Sequence, residues 1–298
     1  MTDPPRPAGA PAGRNANAGS AARRTRQAAL AEASARLAAV SETPRLDAEL
    51  LMAQALGIER ELMLLQPIGA EAPPAFDGLV ERRLAHEPIA YILGRRAFWT
   101  IELEVGPGVL VPRADSETLI EAAFDHFGDR GPGTIVDLGT GPGTLLLAAL
   151  AQWPEAHGIG VDRSEPALAY ARRNAERLGL AERASFRLGD WAVGLEDRFD
   201  LILCNPPYVA SNAALPADVS DWEPAGALFA GEGGLDEYRR LAPQLRELMR
   251  SDGIACVEIG WGQSQAVSAI FSQQGFKVSS RADLNHVERC LLLVLDRE

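Results

Sequence analysis

Residues 134–153 read TIVDLGTGPGTLLLAALAQW. A short β-branched and apolar run, TIVDL, meets a turn holding Gly139, Gly141 and Gly143, and a run apolar all round follows it. The first run has the length and side chains of a strand, the second the length of a helix. Neither shows a polar face, so the pair reads as a buried parallel strand and a helix packed against it. Outward from this unit the alternation repeats. GIGVD (158–162), SFRLG (185–189), DLILC (200–204), IACVEI (254–259), FKVSS (276–280) and CLLLVL (290–295) read as further strands. Ser164 caps a helix with Leu168, Ala171, Ala175 and Leu178 on one face. The pattern predicts an α/β fold: a doubly wound, mostly parallel, seven-stranded sheet covered on both sides.

Upstream the pattern changes. Residues 1–24 are Pro, Gly, Ala and Asn with little to bury and read as a disordered tail. From Gln27 to Leu93 the spacing is helical, with no β-branched alternation. Thr43-Pro44 starts one helix, Leu46, Leu50 and Ala53 mark its face, and Gly57 ends it. Another runs from about Pro74 to His86. FWTIELEVGPGVLV (98–111) reads as short strands around a Gly-Pro turn. A helix follows from Ser116 to Phe127, with Ile120, Phe124 and Phe127 on one face and Gly128 at its end. The expected organisation is a tail over 1–25, a small helical domain over 26–93, a hairpin linker over 94–112 and the sheet domain over 113–298.

Charge and cysteine content narrow the function. The net charge is −12, yet the first thirty residues hold five arginines and one aspartate, which leaves −16 for the rest. A body this acidic lacks the footprint of a general nucleic-acid binder. The three cysteines, Cys204, Cys256 and Cys290, form no C-x-x-C pair and sit in apolar stretches. They read as inert buried thiols in a reducing compartment, with no disulfide scaffold and no metal site. No apolar run reaches the ~20 residues of a membrane span, and no signal-peptide pattern opens the chain. A cytoplasmic protein without a membrane partner is expected.

The chemistry gathers at strand ends. Glycines at a strand-to-helix turn let a ligand approach the backbone, although such turns also occur for tightness alone. The dinucleotide fingerprint fails, because Thr144 or Leu146 stands where its third glycine belongs, and no lysine is near to meet a phosphate. Asp162, ending the second strand, suits both hydroxyls of a ribose; the alternative is a helix cap, a task that Ser164 already suits. Gly189-Asp190-Trp191 ends the third strand, and an acid beside a flat aromatic suits an adenine, or else the tryptophan covers a core edge. Together these ends describe a nucleoside pocket without a phosphate clamp, which S-adenosylmethionine fits best. The fourth strand ends Cys204-Asn205-Pro206-Pro207-Tyr208. Two prolines remove two N–H donors and leave carbonyls at the crevice, and Asn205 adds a side-chain carbonyl. Convergent carbonyls are what a planar –NH2 group needs. Elsewhere a proline pair only ends a strand.

These motifs resemble the S-adenosylmethionine-dependent amino-group methyltransferases, and among them the HemK/PrmC-type peptide chain release factor glutamine N5-methyltransferases. TPRLDAELLMAQALG (43–57), EPIAYILGRRAFW (87–99), VLVPRADSET (109–118), DWEPAGALFAGEGGLDEYRRL (221–241) and DLNHVERCLLL (283–293) are similar to that family's segments. The resemblance implies a Rossmann-like methyltransferase sheet and a helical domain, joined to it by a β-hairpin, that docks the substrate. It implies that Gly139, Thr140, Gly141, Pro142, Gly143, Asp162 and Trp191 bind the methyl donor. It also implies that Asn205, Pro206, Pro207 and Tyr208 bind the glutamine amide, with Asn205 near the donor and with Asn205, Pro206 and Tyr208 catalytic. The implied partner is a class I peptide chain release factor, met at its Gly-Gly-Gln loop, with no direct nucleic-acid contact. Pro142, Ala114 and Ser116 depart from the family's usual residues, and the tail is extra.

No His, Lys or Glu stands beside Asn205-Pro-Pro-Tyr208 as an obvious base, so positioning is expected to carry the reaction. The rival enzyme is an adenine-N6 nucleic-acid methyltransferase, which would need phosphate contacts and base extrusion. A non-catalytic translation-factor adaptor would show a damaged glycine loop or a lost Asn205, and both are intact.

Overall fold

Thr134–Leu138 forms a strand whose last four residues are buried, and the sheet grows outward from it. The computed structural model describes residues 24–67 and 69–296. The tail expected over 1–25 lies, as far as residue 23, outside the described residues. The chain divides into two compact units, Met1–Val80 and Glu81–Glu298.

The first unit holds α1 (Arg26–Leu37), α2 (Pro44–Leu56) and α3 (Arg60–Leu64), and α4 (Ala75–Leu84) runs across the division. Pro44 opens α2 and Gly57 closes it in the left-handed region at φ 68°, as the sequence suggests. The buried face of α2 is the expected one only in part, for Ala53 is buried and Leu50 half-buried. Ala48, Leu51 and Met52 are buried whereas Leu46 is exposed. Glu49 is buried too, accepting from Arg45 Nε at 2.6 Å and Arg60 Nη2 at 2.6 Å. A carboxylate paired twice tolerates burial, so apolar spacing alone misplaces the stripe. Thr43 gives no side-chain cap; its hydroxyl donates to Asp47 Oδ1 at 3.4 Å.

The second unit continues with α5 (Ile89–Leu93), β1 (Arg95–Phe98) and β2 (Ile101–Glu104), the last two an antiparallel hairpin. Its turn is Trp99-Thr100, not the Gly-Pro pair at 106–107. Trp99 sits at φ 54°, a conformation that costs a bulky residue energy. Its N–H donates to Glu117 Oε1 at 2.8 Å and its indole to Gln152 Oε1 at 3.0 Å, which hold it there. Gly106 serves close approach instead, since a Cβ on it would lie 2.4 Å from the Tyr170 hydroxyl oxygen.

Next come α6 (Glu117–Phe127), β3 (Thr134–Leu138), α7 (Thr144–Gln152), β4 (His157–Asp162), α8 (Glu165–Arg177), β5 (Ala184–Leu188) and β6 (Phe199–Cys204). Then follow α9 (Ala217–Ser220), α10 (Asp236–Leu248), β7 (Met249–Glu258), α11 (Ser264–Ser272), β8 (Phe276–Ala282) and β9 (Glu288–Leu295). The sheet order is β5-β4-β3-β6-β7-β9-β8, and only β9 runs antiparallel to its neighbours. The doubly wound, mostly parallel seven-stranded sheet is therefore present. One apolar cluster, with Leu119, Leu146 and Leu150, covers one face, and another, with Leu241, Leu245 and Phe271, covers the other. From β3 the chain winds one way to β4 and β5, then returns to place β6 on β3's other side. Such a reversal opens a crevice at the strands' carboxyl ends, where ligands bind in open α/β sheets.

Fully buried Asn174 ties the hairpin to this crevice. Its Oδ1 accepts from the Glu104 N–H at 2.7 Å, and its Nδ2 donates to the carbonyls of Glu104 at 3.0 Å and Pro142 at 2.9 Å. Asn174→Ala strands all three backbone groups, an expected loss of about 2–3 kcal/mol. Thermal unfolding is expected to show a midpoint lower by roughly 5–10 °C.

Candidate active site

At the end of β3 the loop is fixed from within. Asp137 is buried, and its Oδ2 accepts from the Thr140 hydroxyl at 2.6 Å and the Leu146 N–H at 3.1 Å. Burial pushes its carboxyl up to about 7, against those two hydrogen bonds. The N–H groups of Gly139 and Thr140 both donate to the Val161 carbonyl, at 2.8 and 3.0 Å. Gly139, Gly141 and Gly143 all have positive φ, 76°, 56° and 88°, where a side chain is strained.

Asp162, at the end of β4, closes the loop from outside. Its Oδ2 accepts from the Gly141 N–H and its Oδ1 from the Ser164 N–H, both at 2.8 Å. The capping alternative is therefore realised in part, alongside Ser164, whose Oγ accepts from Ala167 N–H at 3.3 Å. A carboxylate has about four acceptor positions, so two remain for a diol. Burial raises the Asp162 pKa, opposed by these N–H groups.

Trp191 follows β5 at φ 52°, and its indole N–H donates to Glu237 Oε2 at 2.7 Å. The ring lies against Gly139, where a Cβ would sit 3.1 Å from ring atom Cζ3. It thus forms one wall of a cleft of about 160 Å3 lined also by Gly139, Gly141, Asp162, Asn205 and Pro207. Thr140, Pro142 and Gly143 do not line it. Thr140 packs beneath, Pro142 is held by Asn174, and Gly143 starts α7. Asp190 borders the cleft but pairs with Arg240 at 2.5 Å. The cleft lining has no lysine, its arginine, Arg163, donates Nη2 to the Gly226 carbonyl at 2.5 Å, and a Cβ on Gly141 would meet nothing within 4 Å. Open space over a glycine turn, a half-buried acid and a flat ring fit S-adenosylmethionine. A larger hollow, about 640 Å3, opens at the strands' amino ends around Gly133, Asp200 and Lys277 and contains none of these groups.

Beyond β6, Asn205 Nδ2 donates to Ser116 Oγ at 3.1 Å. Ser116 in turn donates to Glu258 Oε2, and the Tyr208 hydroxyl donates to Glu258 Oε1 at 3.1 Å. The expectation that no glutamate accompanies the motif is corrected here, for Glu258 arrives from the end of β7. Burial raises its carboxyl to about 7, while Ser116, Tyr208 and Arg289 oppose the shift. The Tyr208 phenol is pushed up by burial and by Glu258, so it donates and does not act as a base. Gln263 Nε2 holds the Tyr208 carbonyl at 3.1 Å. Arg113 pairs with buried Glu223 at 2.6 Å, which places Pro224 and Gly226 at the cleft rim. Asp137, Ser116, Glu237 and Glu258 are absent from the sequence-derived site. Asp137 carried a legible signal, an acid inside an otherwise apolar strand.

Among the described residues no cluster of His, Cys, Asp and Glu could hold a metal ion, the three cysteines are buried and free, and no helix is long and apolar enough to cross a membrane.

Residues 28–94 match the family described as PrmC N-terminal domain, and residues 131–283 match a methyltransferase domain family. The chain is 40% identical to the release factor glutamine methyltransferase of Caulobacter vibrioides over 84% of this chain and 89% of that protein. It is 42% identical to the one from Rhodospirillum rubrum over 84% of this chain and 79% of that protein. Among solved structures, a methyltransferase from Pyrococcus furiosus aligns with TM-score 0.50 and 17% identity, over 73% of this chain and 98% of that one, a likeness of fold.

Asp162→Ala removes a charged acceptor, which is expected to weaken S-adenosylhomocysteine binding by about tenfold or more, from ~1.5–3 kcal/mol for such a hydrogen bond. Gly141→Val fills the open space and strains the loop, and is expected to weaken binding at least as much. Titration calorimetry measures both, and wild-type affinity in either variant refutes the assignment of that residue.

Proposed function

The chain belongs to the release factor glutamine methyltransferase family, and we propose that it methylates N5, the side-chain amide nitrogen, of the glutamine in the Gly-Gly-Gln motif of peptide chain release factors. The observation that carries this reading is the anchored amide of Asn205. Its Nδ2 donates to Ser116 and the residue lines the cleft, which supports its side-chain carbonyl as the acceptor there. With the backbone carbonyl of Pro206, it offers two acceptors to one planar –NH2 donor.

An amide nitrogen is a poor nucleophile because its lone pair is delocalised into the carbonyl. S-adenosylmethionine supplies a sulfonium methyl, the electrophile. The protein's part is to hold the amide in line with it, where aligned reactants reach effective molarities of ~10⁵–10⁸ M. Hydrogen bonds from the acceptor –NH2 to Asn205 and Pro206 also favour positive charge growing on nitrogen. Pro207 stiffens the turn, and the Tyr208 ring, fixed at its hydroxyl by Glu258, is placed to stack on the planar amide. Two glycines before the glutamine carry no side chain, which lets such a loop enter a narrow crevice.

A single loop buries little surface against the cost of association, so the helical region 26–93 is assigned a second contact with the factor. Leu62, Leu64 and Leu65 of its first unit are exposed.

With labelled methyl donor, label is expected in the release factor, none in the factor with its loop glutamine replaced by alanine, and none in DNA or RNA. Label in adenine with none in the factor overturns the reading in favour of a nucleic-acid methyltransferase. Asn205→Ala is expected to cut turnover by more than about tenfold, from a lost partner worth ~1–3 kcal/mol plus misalignment, with a smaller change in S-adenosylhomocysteine affinity. Leu62→Glu combined with Leu65→Glu is expected to raise KM for the whole factor and leave KM for a short Gly-Gly-Gln peptide unchanged.

A further inference from the structure

We propose that Glu258, acting through Ser116, is the positioning residue that sets which end of the Asn205 amide faces the acceptor. The inference rests on the glutamine-methylation reading and adds to it the group that orients the acceptor site.

Glu258 is 1% exposed, and each carboxylate oxygen takes one hydrogen bond from the cleft side, from Ser116 and from Tyr208. An ionised carboxylate only accepts. The single Ser116 hydroxyl hydrogen therefore points to Glu258, so Ser116 Oγ can only accept from Asn205. Asn205 must then present Nδ2 to Ser116 and its carbonyl to the cleft. The direction of the whole chain, Asn205 to Ser116 to Glu258, follows from one negative charge.

Protonation reverses the logic. A neutral Glu258 has a hydroxyl of its own that can donate to Ser116, which frees the serine hydrogen to point at Asn205. The Asn205 amide then gains by flipping, and its –NH2 faces the cleft, where an incoming –NH2 finds a donor in place of an acceptor. Both arrangements satisfy the buried groups, but only one receives an amide.

The surroundings keep this charge finely balanced. Arg289 of β9 favours the ionised form and Asp115 opposes it. Arg289 itself pairs with Asp115 at 3.0 Å and with Asp283 at 3.4 Å. The Tyr238 hydroxyl donates to the Glu258 backbone carbonyl at 3.0 Å, and the buried thiols of Cys204 and Cys290 stay protonated beside it. With its pKa raised to about 7, Glu258 is ionised above that pH and loses its charge as pH falls through it.

The test uses the full chain, its donor and a release factor, with kcat, KM, S-adenosylhomocysteine affinity and thermal midpoint read for each variant. Wild-type kcat is expected to fall on the acidic side of about pH 7. Glu258→Gln keeps the shape but offers one acceptor and one donor. It is expected to lower kcat by about tenfold or more, the order expected for a lost hydrogen bond to a charged group, and to abolish the acidic limb. Its donor affinity and thermal midpoint are expected to stay near wild type. Ser116→Ala is expected to lower kcat similarly, and the double variant to be no worse than either single one, because the residues act as one unit. Wild-type kcat with an intact acidic limb in Glu258→Gln overturns the proposal. So does a kcat loss matched by equal losses in donor affinity and thermal midpoint, which marks a scaffold role. Should Glu258→Gln fail to fold, wild-type kcat in Ser116→Ala overturns it. A wild-type chain that labels no release factor overturns the parent reading and this inference with it, whereas a labelling wild type with an unaffected Glu258→Gln overturns the inference alone.

Discussion

The crevice depends on a carboxylate buried in a strand that has no polar face. Asp137 gathers the Thr140 hydroxyl and the Leu146 N–H onto one oxygen, so the turn after β3 and the first turn of α7 form a single piece. Its other oxygen, Oδ1, has no partner among the described residues. Burying an acid this way costs several kcal/mol, and what the structure gains is a glycine turn that holds its shape with few side chains of its own. From that turn, bonds to Val161 and Asp162 fix the end of β4, and contact with Gly139 positions the Trp191 ring after β5.

Asp137 and Glu258 are alike in burial and in a carboxyl raised to about 7, and they divide the labour across the crevice. Asp137 grips the Thr140 hydroxyl and the Leu146 N–H. Glu258 grips the side chains of Ser116 and Tyr208. The second of these polar systems reaches Asn205, which lines the cleft and anchors on Ser116.

Much of the fold was legible because strands buried on both faces leave a dense local signal. The runs read as 134–138 and 200–204 match β3 and β6 to within a residue. Local spacing failed where distant partners decided the outcome. The hairpin turned at Trp99, where Glu117 and Gln152 hold that residue. In the site, the glycine turn, Asp162, Trp191 and Asn205 announce themselves by type and position at strand ends. Ser116 and Glu258 do not, since 142 positions separate them, and a serine just before a helix resembles any other helix start. Asp190 also stands at a strand end in the cleft lining, and it pairs there with Arg240.

The place of β9 between β7 and β8 bears on how the chain is made. β9 follows both neighbours in sequence, yet it is the strand that joins them. During synthesis β7 emerges with a free edge, and β8 cannot attach to it directly. Unpaired edges invite pairing with other chains, and domains assemble as their segments emerge, the earlier ones first. The Glu258 end of β7 pairs with Cys290 of β9, so that side of the crevice is finished last. A nascent chain would hold a formed glycine turn well before the opposite wall of the crevice was in place.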